Sequence, residues 1–302
     1  MYQRITQLNR QRFGCLPKSV TSIGGGFYGR VFLVEQEHEI PLVVYKLYLF
    51  PNLAHKEALQ LQTLARHARV RMPKVYFTDP ASDGGYDVLA MEYLPGVNAG
   101  LLKEVPARSR QALAKEIVEN LLAYHEVVNP AGFGELDAAN FLPDWRDYYY
   151  PIARQVAEKA RRLTESGRLE PWIFPIVQKA FHSYERIFTL PITQARLVHG
   201  DYNTWNILLD DTLEHVSGVI DPFNCRWADS EIDLYQLDNA NGREFGLLEE
   251  YQKRRPLSEN FAAKRAFYEL FSEIGHYYDA GAEINPRVIA PQAQALRDCL
   301  DF

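Results

Sequence analysis

The stretch Leu197–Asp221 constrains this chain most, because it combines short strand-forming runs, tight turns and spaced polar residues. Its sequence, LVHGDYNTWNILLDDTLEHVSGVID, predicts a strand, a loop, a strand, a turn and a strand. Asp201, Asn206 and Asp221 are then expected at one place. One carboxylate can orient an accepting hydroxyl, while an amide oxygen and a second carboxylate can hold Mg²⁺ against phosphates. The stretch therefore predicts phosphoryl transfer from a nucleotide, with Asp201 as the acceptor base.

A glycine-rich turn lies near the N-terminus, between strand-like runs at 20–23 and 31–34. Gly24, Gly26 and Gly29 follow the spacing G-x-G-x-x-G-x-V. Glycines let the backbone fold tightly over phosphates and direct N–H groups at them. The alternative is a plain hairpin turn. A Rossmann turn fits poorly, because that turn needs a helix directly after the glycines and VFLVEQ favours a strand.

Lys46 lies inside the apolar strand-like run LVVYKLY. In a nucleotide-binding lobe its ammonium would contact the α- and β-phosphates, although a lysine in a strand can also simply face solvent. Glu57 falls on the first turn of the following helical pattern and is the candidate partner of Lys46. Alternatively, it is a carboxylate favoured by the helix dipole. The order of strand lysine and then helix glutamate favours the nucleotide site.

The strand pattern ends after residue 94, and long helical patterns begin. We therefore predict a nucleotide-binding lobe of sheet plus helix over residues 1–94, and a helical lobe with the catalytic loop and acceptor site over residues 95–302. The carbonyl of Glu92 and the amide of Leu94 are best placed to pair with adenine. A plain interdomain connection is the alternative.

Helical patterns in the second lobe are predicted at 107–128, 152–165 and 174–187. Residues 131–150 are predicted as a loop with an aromatic cluster. Those aromatic side chains are expected to pack in the core rather than to line a ligand.

Composition excludes several classes of protein. The 302 residues, 47% of them hydrophobic, are enough for two moderate cores, and the net charge of −6 gives no nucleic-acid footprint. Three widely spaced cysteines fit neither a disulfide framework nor a zinc site and favour a reducing cytosol. The chain has no secretory h-region and no run as long as a membrane span. A cytoplasmic protein without nucleic-acid or membrane partners is expected, and its oligomeric state stays open.

The motif H-G-D-x-x-x-x-N at 199–206, followed by I-D-P at 220–222, resembles the aminoglycoside phosphotransferase family, which includes fructosamine (ketosamine) kinases. The resemblance runs from about residue 22 to at least residue 280. It implies an α+β, protein-kinase-like fold with a small β-rich N-terminal lobe and a larger, mainly helical C-terminal lobe. It also implies Asp201 as catalytic residue, Asn206 and Asp221 as Mg²⁺ ligands, and Lys46 with Glu57 as the phosphate-binding ion pair. The expected donor is ATP, and GTP stays open as the alternative. Asp233 resembles a family residue that braces the catalytic loop.

Two departures matter for the acceptor. No activation segment and no Ala-Pro-Glu follow Asp221, which argues against a protein substrate. Trp205 stands where many relatives have glycine, and it either packs under the loop or faces the acceptor. We expect ATP- and Mg²⁺-dependent transfer of the γ-phosphate to a hydroxyl of a small molecule: an aminoglycoside-like compound, a ketosamine or a related metabolite. The alternatives are a nucleotide-binding regulatory module without turnover, and a protein kinase.

Overall fold

The computed structural model describes residues 1–37, 41–81 and 85–300. The chain forms two compact units. The first contains Met1–Ala123 and Thr204–Phe223, and the second contains Tyr124–Asn203 and the residues from Asn224 onward. The lobe boundary predicted after residue 94 stays a prediction.

The first unit contains two sheets and their helices. The elements are α1 (Tyr2–Phe13), β1 (Pro17–Gly25), β2 (Gly29–Gln36), β3 (Val43–Tyr48), α2 (Leu53–Ala65), β4 (Val75–Asp79), β5 (Asp87–Glu92), β6 (Val97–Asn98), most of α3 (Arg110–His125), β10 (Ile207–Leu209) and β11 (Val216–Val219). The main sheet is antiparallel and has the strand order β1-β2-β3-β5-β4. The smaller sheet has the order β11-β10-β6.

Strand β3 shows how side-chain alternation positions the site. Tyr45 and Leu47 point into a core that includes Ile5 and Leu8 of α1, and all four side chains are buried. Because successive side chains of a strand point to opposite faces, Lys46 lies on the other face. The lysine is therefore held by two buried neighbours in a strand whose register with β2 and β5 is regular.

The N-terminus of helix α2 is stabilised by a side chain that is distant in the sequence. The buried carboxylate of Asp87 accepts a hydrogen bond of 2.8 Å from the backbone N–H of Ala54, in the first turn of the helix. Such a carboxylate satisfies an N–H that has no partner within the helix and interacts favourably with the helix dipole. This contact fixes the first turn of α2. Because the helix begins at Leu53, Glu57 lies in the turn that follows, so its predicted place on the first turn was wrong.

The hairpin between β10 and β11 is closed by side chains. Asp210 accepts hydrogen bonds from the backbone N–H groups of Glu214 (3.0 Å) and His215 (3.3 Å). Glu116 of α3 accepts from the backbone N–H of Val216 at 2.8 Å. The predicted turn is therefore confirmed, and Asp210 serves the turn itself.

The second unit combines helices with one sheet. The elements are β7 (Val128–Asn129), β8 (Gly134–Glu135), α4 (Trp145–Glu165), α5 (Ile173–His182), α6 (Tyr184–Ile187), β9 (Ala195–Leu197), β12 (Arg226–Ala228), α7 (Gly242–Phe245), α8 (Leu247–Gln252), α9 (Phe261–Ala280) and α10 (Pro286–Cys299). The sheet has the strand order β7-β9-β12-β8. Strands β9 and β10, which flank Asp201 in the sequence, belong to different sheets. A 3₁₀ helix spans Ser230–Asp238.

Helix α4 begins at Trp145, so the prediction of a loop up to residue 150 was wrong there. Asp144 caps the helix by accepting from the N–H of Arg146 at 2.9 Å, and Pro151 is tolerated in its second turn. Trp145 and Tyr149 are buried in the helical core, as expected for packing aromatics. No helix in the described part of the chain is long and apolar enough to cross a membrane.

Candidate active site

Lys46 is the centre of a buried ionic cluster in the first unit. Its Nζ atom lies 2.7 Å from Oε2 of Glu57 and also contacts Oδ1 of Asp221. The lysine side chain is only 14% exposed. Strand β3, helix α2 and the segment after β11 thus bring together three of the residues that the sequence analysis selected.

The cluster keeps the lysine charged. Burial by itself would lower the pKa of Lys46, but the carboxylates of Asp221 and Glu57 outweigh it and raise that pKa above its ordinary value. Burial also raises the pKa of Glu57, which Lys46 partly offsets. A permanently charged ammonium held by two carboxylates suits contact with phosphate oxygens.

Tyr48 is a member of this cluster that the sequence analysis missed. Its hydroxyl donates to Oε2 of Glu57, the same oxygen that Lys46 contacts. Tyr48 lies two residues after Lys46, so both side chains are on one face of β3. The spacing of two residues within a predicted strand was the sequence signal that could have identified Tyr48. Because the hydroxyl and the ammonium share one oxygen, Glu57 is fixed in place and orients Lys46.

Asn206 and Asp221 lie at the base of the β10–β11 hairpin. The backbone N–H of Ile220 donates to the carbonyl of Asn206 at 3.0 Å, and Nδ2 of Asn206 lies 3.5 Å from the carbonyl oxygen of Asp221. Asp221 has a φ of 55°, a left-handed conformation that is uncommon for a residue with a side chain. Such strain concentrates at functional sites, where it fixes the direction of a side chain.

The donor set of these two residues fits Mg²⁺. One amide oxygen and one carboxylate are hard oxygen ligands, and Mg²⁺ commonly takes few protein ligands beside substrate phosphates and water. Among the described residues, no cluster of three or more His, Cys, Asp and Glu side chains is arranged to hold a metal.

The glycine-rich segment forms the turn between β1 and β2, where the N–H of Gly26 donates to the carbonyl of Gly29 at 3.1 Å. Within the first unit, the ring of Tyr28 stacks on that of Phe223, with centroids 5.2 Å apart. The turn is thus in contact with the segment that carries Asp221. Gly24 is in strand β1 and, like Gly26, has open space where a side chain would begin.

Gly29 is the glycine of this turn whose size matters for packing against β3. A Cβ atom there would lie 2.6 Å from the carbonyl oxygen of Leu47. We expect Gly29→Ala to force β2 and β3 apart and to lower the free energy of unfolding by about 1–3 kcal/mol. Urea denaturation measures this change. Gly26→Ala is the matched control and should unfold like the wild type; equal stability of both variants would contradict the steric argument.

Glu92 is the last residue of strand β5, and Leu94 lies two residues after it. The Glu92 side chain pairs with Arg71 at 2.7 Å and accepts from the N–H of Lys74 at 3.2 Å. Leu94 is buried and packs close to Gly218. The side chains therefore hold the connection in place. The predicted contacts of their backbone groups with adenine stay a prediction.

Trp205 packs against the backbone of a neighbouring turn. Its carbonyl oxygen accepts from Nδ2 of Asn98, and a Cβ atom on Gly100 would lie only 2.8 Å from the Trp205 ring. The ring is nevertheless 49% exposed. One face of the indole thus supports the turn that carries Asn206, and the rest of the ring faces outward.

Asp201 lies in the second unit and is held by its own loop. Its Oδ1 atom accepts from Nδ2 of Asn203 at 2.6 Å, and its backbone N–H lies 3.3 Å from Nδ1 of His199. Asn203 was missed by the sequence analysis. An Asx residue two positions after the aspartate was the available signal, because such side chains bond to nearby groups in tight loops.

Asp233 braces this loop, in agreement with the role implied by the family resemblance. Its fully buried carboxylate accepts from the backbone N–H groups of His199 (2.8 Å) and Gly200 (2.7 Å). Nε2 of His125 lies 3.2 Å from the same carboxylate. The backbone before Asp201 is therefore fixed by hydrogen bonds to a charged group, which are stronger than neutral ones.

Helix α9 carries an acidic residue, Glu273, that shares the buried neighbour Tyr235 with Asp201. Tyr235 is buried in the electrostatic field of both Asp201 and Glu273. Burial raises the pKa of Glu273, and the hydroxyl of Tyr277 partly offsets this. Burial likewise raises the pKa of Glu269, one turn earlier. Within the described residues, Glu273 has no cationic partner.

Comparison with known proteins agrees with this geometry. Residues 19–267 match the family described as "Phosphotransferase enzyme family" (APH). The chain is 26% identical over 250 residues to "Uncharacterized protein YcbJ" of Escherichia coli K12, covering 82% of each chain. It is 26% identical over 228 residues to "Probable ketoamine kinase YniA" of the same strain, covering 72% of this chain and 71% of that protein.

Solved structures share the fold. A "Putative fructosamine-3-kinase" of Haemophilus somnus 129PT superposes with a TM-score of 0.73 at 17% identity, over 99% of each chain. Aminoglycoside phosphotransferase APH(4)-Ia, in complex with AMP-PNP and hygromycin B, gives 0.73 at 15% identity, over 98% of this chain and 97% of that one. The predicted α+β, kinase-like fold is confirmed. The chain belongs to the phosphotransferase enzyme family.

Proposed function

We propose that this protein transfers the γ-phosphate of ATP to a hydroxyl of a small molecule in a Mg²⁺-dependent reaction. The observation that carries the proposal is Lys46, held by Glu57 and Asp221 beside the hairpin that also carries Asn206. Phosphoryl transfer needs positioning and charge neutralisation more than covalent chemistry, and this arrangement supplies both. The AMP-PNP bound to APH(4)-Ia supports the use of a nucleotide.

Each residue of the candidate site has a defined role in this proposal. Lys46 binds phosphate oxygens, and Glu57 with Tyr48 orients it. Asn206 and Asp221 would hold Mg²⁺, which when bound would neutralise charge on the phosphates. Asp201 accepts a hydrogen bond from the acceptor hydroxyl and takes its proton. Asn203 keeps the Asp201 carboxylate oriented for that contact.

We propose further that the acceptor is a polyhydroxylated compound that carries a protonated amine. Glu273 supports this, because a partly buried carboxylate without a cationic partner in the described residues is costly unless a ligand neutralises it. The names of the relatives agree, since ketoamines, fructosamines and hygromycin B share amine and hydroxyl groups.

ADP release in the presence of an acceptor panel tests this function. The panel contains hygromycin B, kanamycin, an N-alkyl fructosamine, free fructose and casein. We expect at least one amine-bearing polyol to accelerate ADP release well above the rate without acceptor, and casein to have no effect. Uniform rates across the panel would contradict a small-molecule kinase, and acceleration by casein alone would favour a protein kinase.

Replacement of Glu273 by Gln tests the amine. Because burial raises the pKa of Glu273, its carboxyl is protonated at a higher pH than an ordinary glutamate, and cation binding weakens as pH falls through that value. We expect Glu273→Gln to raise KM for the amine acceptor about tenfold, since a charged hydrogen bond contributes about 1.5–3 kcal/mol. kcat should change little.

The pH profile of KM supplies the control for Glu273→Gln. The wild-type profile should rise toward acid pH, and the variant profile should be flat. The folded-state pKa of Glu273 lies above its unfolded value, so ionisation of this carboxyl lowers the free energy of unfolding of the wild type as pH rises through that pKa. The amide of Glu273→Gln stays neutral, so the variant should be no less stable than the wild type. An unchanged KM, or a shared acid limb in wild type and variant, would contradict the assignment.

A further inference from the structure

The second unit contains a cavity of about 330 Å³ that includes none of the residues assigned to catalysis. Part of its wall is apolar, from Phe188, Leu190, Ile192 and Leu257. Two arginines, Arg196 and Arg255, also line it. A cavity of this size holds a small organic molecule.

The two arginines converge on one carbonyl oxygen. Arg196 donates through Nη1 to the carbonyl of His125, and Arg255 donates to the same atom at 3.3 Å. Arg196 also donates through Nη2 to Oε1 of Gln194. Burial and the charge of Arg255 lower the pKa of Arg196, and the charge of Glu126 partly offsets this. In the ranges that the structure describes, neither guanidinium forms an ion pair with a carboxylate. Two like charges thus lie side by side with donors to spare, an arrangement that an anion would stabilise.

The acids of the same wall are already engaged. Asp229 and Glu231 each lie 2.7 Å from Nζ of Lys264. Glu231 also accepts from the backbone N–H of Ser258 (2.7 Å) and from its hydroxyl (2.6 Å). Asp229 accepts from the hydroxyl of Tyr268 at 2.7 Å. Because both carboxylates are already paired with Lys264 and hydrogen-bond donors, a ligand in the cavity would meet mainly the positive charge of the two arginines.

We propose that this cavity binds a small phosphate monoester, with the phosphate on Arg196 and Arg255 and the organic part on the apolar wall. Planar guanidinium groups bind phosphate oxygens in pairs of charged hydrogen bonds, and two of them neutralise a dianion. The proposal is independent of the reaction assigned above.

The site adjoins the brace of the catalytic loop. His125 supplies the carbonyl on which the arginines converge, and its ring lies 2.8 Å from the hydroxyl of Tyr251 and 3.2 Å from the carboxylate of Asp233. Tyr251 also lines the cavity. Only His125 would therefore separate a bound ligand from the carboxylate of Asp233, which fixes the backbone at His199 and Gly200.

Isothermal titration with phenyl phosphate, in the presence of saturating Mg²⁺ and AMP-PNP to fill the nucleotide site, tests the proposal without turnover. We expect saturable binding at one site per chain and none for phenol. The double variant Arg196→Gln/Arg255→Gln should bind at least about tenfold more weakly, as expected for the loss of charged hydrogen bonds. Lys253→Gln is the matched control: it removes a positive charge from the same segment, outside the cavity lining, and should bind like the wild type.

Thermal unfolding of each variant checks that the fold is retained, and Arg255→Lys provides a milder change that keeps the charge but loses the planar fork. Its affinity should lie between those of the wild type and the double variant. Absence of saturable binding by the wild type would overturn the proposal. Equal binding by the double variant, or equal weakening by Lys253→Gln, would also overturn it.

Discussion

Replacing Asp201 with Asn should lower kcat by about 10²–10⁴-fold, the usual contribution of a positioned acid or base. The variant keeps an oxygen that can accept from Nδ2 of Asn203, so the loop geometry should persist. What is lost is the negative charge that accepts the proton of the acceptor hydroxyl. Steady-state turnover measures the effect, and titration with a fluorescent ATP analogue should give nearly wild-type nucleotide affinity.

Asp211→Asn is the matched control for Asp201→Asn. It makes the same chemical change at an exposed residue of the β10–β11 turn and should keep wild-type turnover. Full activity of Asp201→Asn would show that another group accepts the proton. Loss of nucleotide affinity together with turnover would show that Asp201 supports the fold of the loop instead.

Replacing Asp221 with Asn should also be severe. It removes the anionic ligand proposed for Mg²⁺ and one of the two carboxylates that hold Lys46. Electrostatic groups aimed at a transferring phosphate contribute about 10²–10³-fold in kcat each, so a loss of at least that size is expected. Turnover as a function of Mg²⁺ concentration should show a higher requirement for the metal.

The Mg²⁺ dependence separates the two roles of Asp221. If it acts mainly through the metal, high Mg²⁺ should partly restore turnover of Asp221→Asn. Nucleotide affinity measured without Mg²⁺ should change less, because Lys46 still pairs with Glu57 at 2.7 Å. A variant with the wild-type Mg²⁺ requirement would contradict the assignment of Asp221 as a metal ligand.

The sequence was sufficient for the parts of the site that follow local rules. Strand alternation placed Lys46 on a defined face of β3, and helical periodicity placed Glu57 on α2; the structure joins them at 2.7 Å. The hairpin that carries Asn206 was predicted because apolar runs and turn residues alternate over a short stretch. The family match confirms the fold and the family that these motifs indicated.

Other features depend on contacts between distant residues and had only weak signals. Helix α4 extends to Trp145 because its aromatic face is buried against α9, although the helical pattern predicted a start at residue 152. The left-handed backbone of Asp221 was not predicted, because Asp is enriched in this conformation yet adopts it at only a small minority of positions. The two arginines of the cavity lie 59 positions apart in the chain and meet only through the carbonyl of His125.

The proposed acceptor site was the least predictable part. Glu269 and Glu273 occur in an ordinary amphipathic helix, where acidic residues usually face solvent. Their partial burial, which raises the pKa of each, arises from tertiary packing. Trp205 also needed the structure, because its contact with Gly100 joins segments about a hundred residues apart.

The most direct test of the account follows a labelled γ-phosphate from ATP in the presence of Mg²⁺ and an amine-bearing polyol. We predict that the wild-type protein yields a phosphate monoester of the polyol and that Asp201→Asn yields almost none. Mass spectrometry identifies this product, and phosphorus NMR shows that the phosphate is esterified to a hydroxyl group. Label that stays in ATP, or that appears only as inorganic phosphate at a rate independent of the acceptor, would contradict the proposed function.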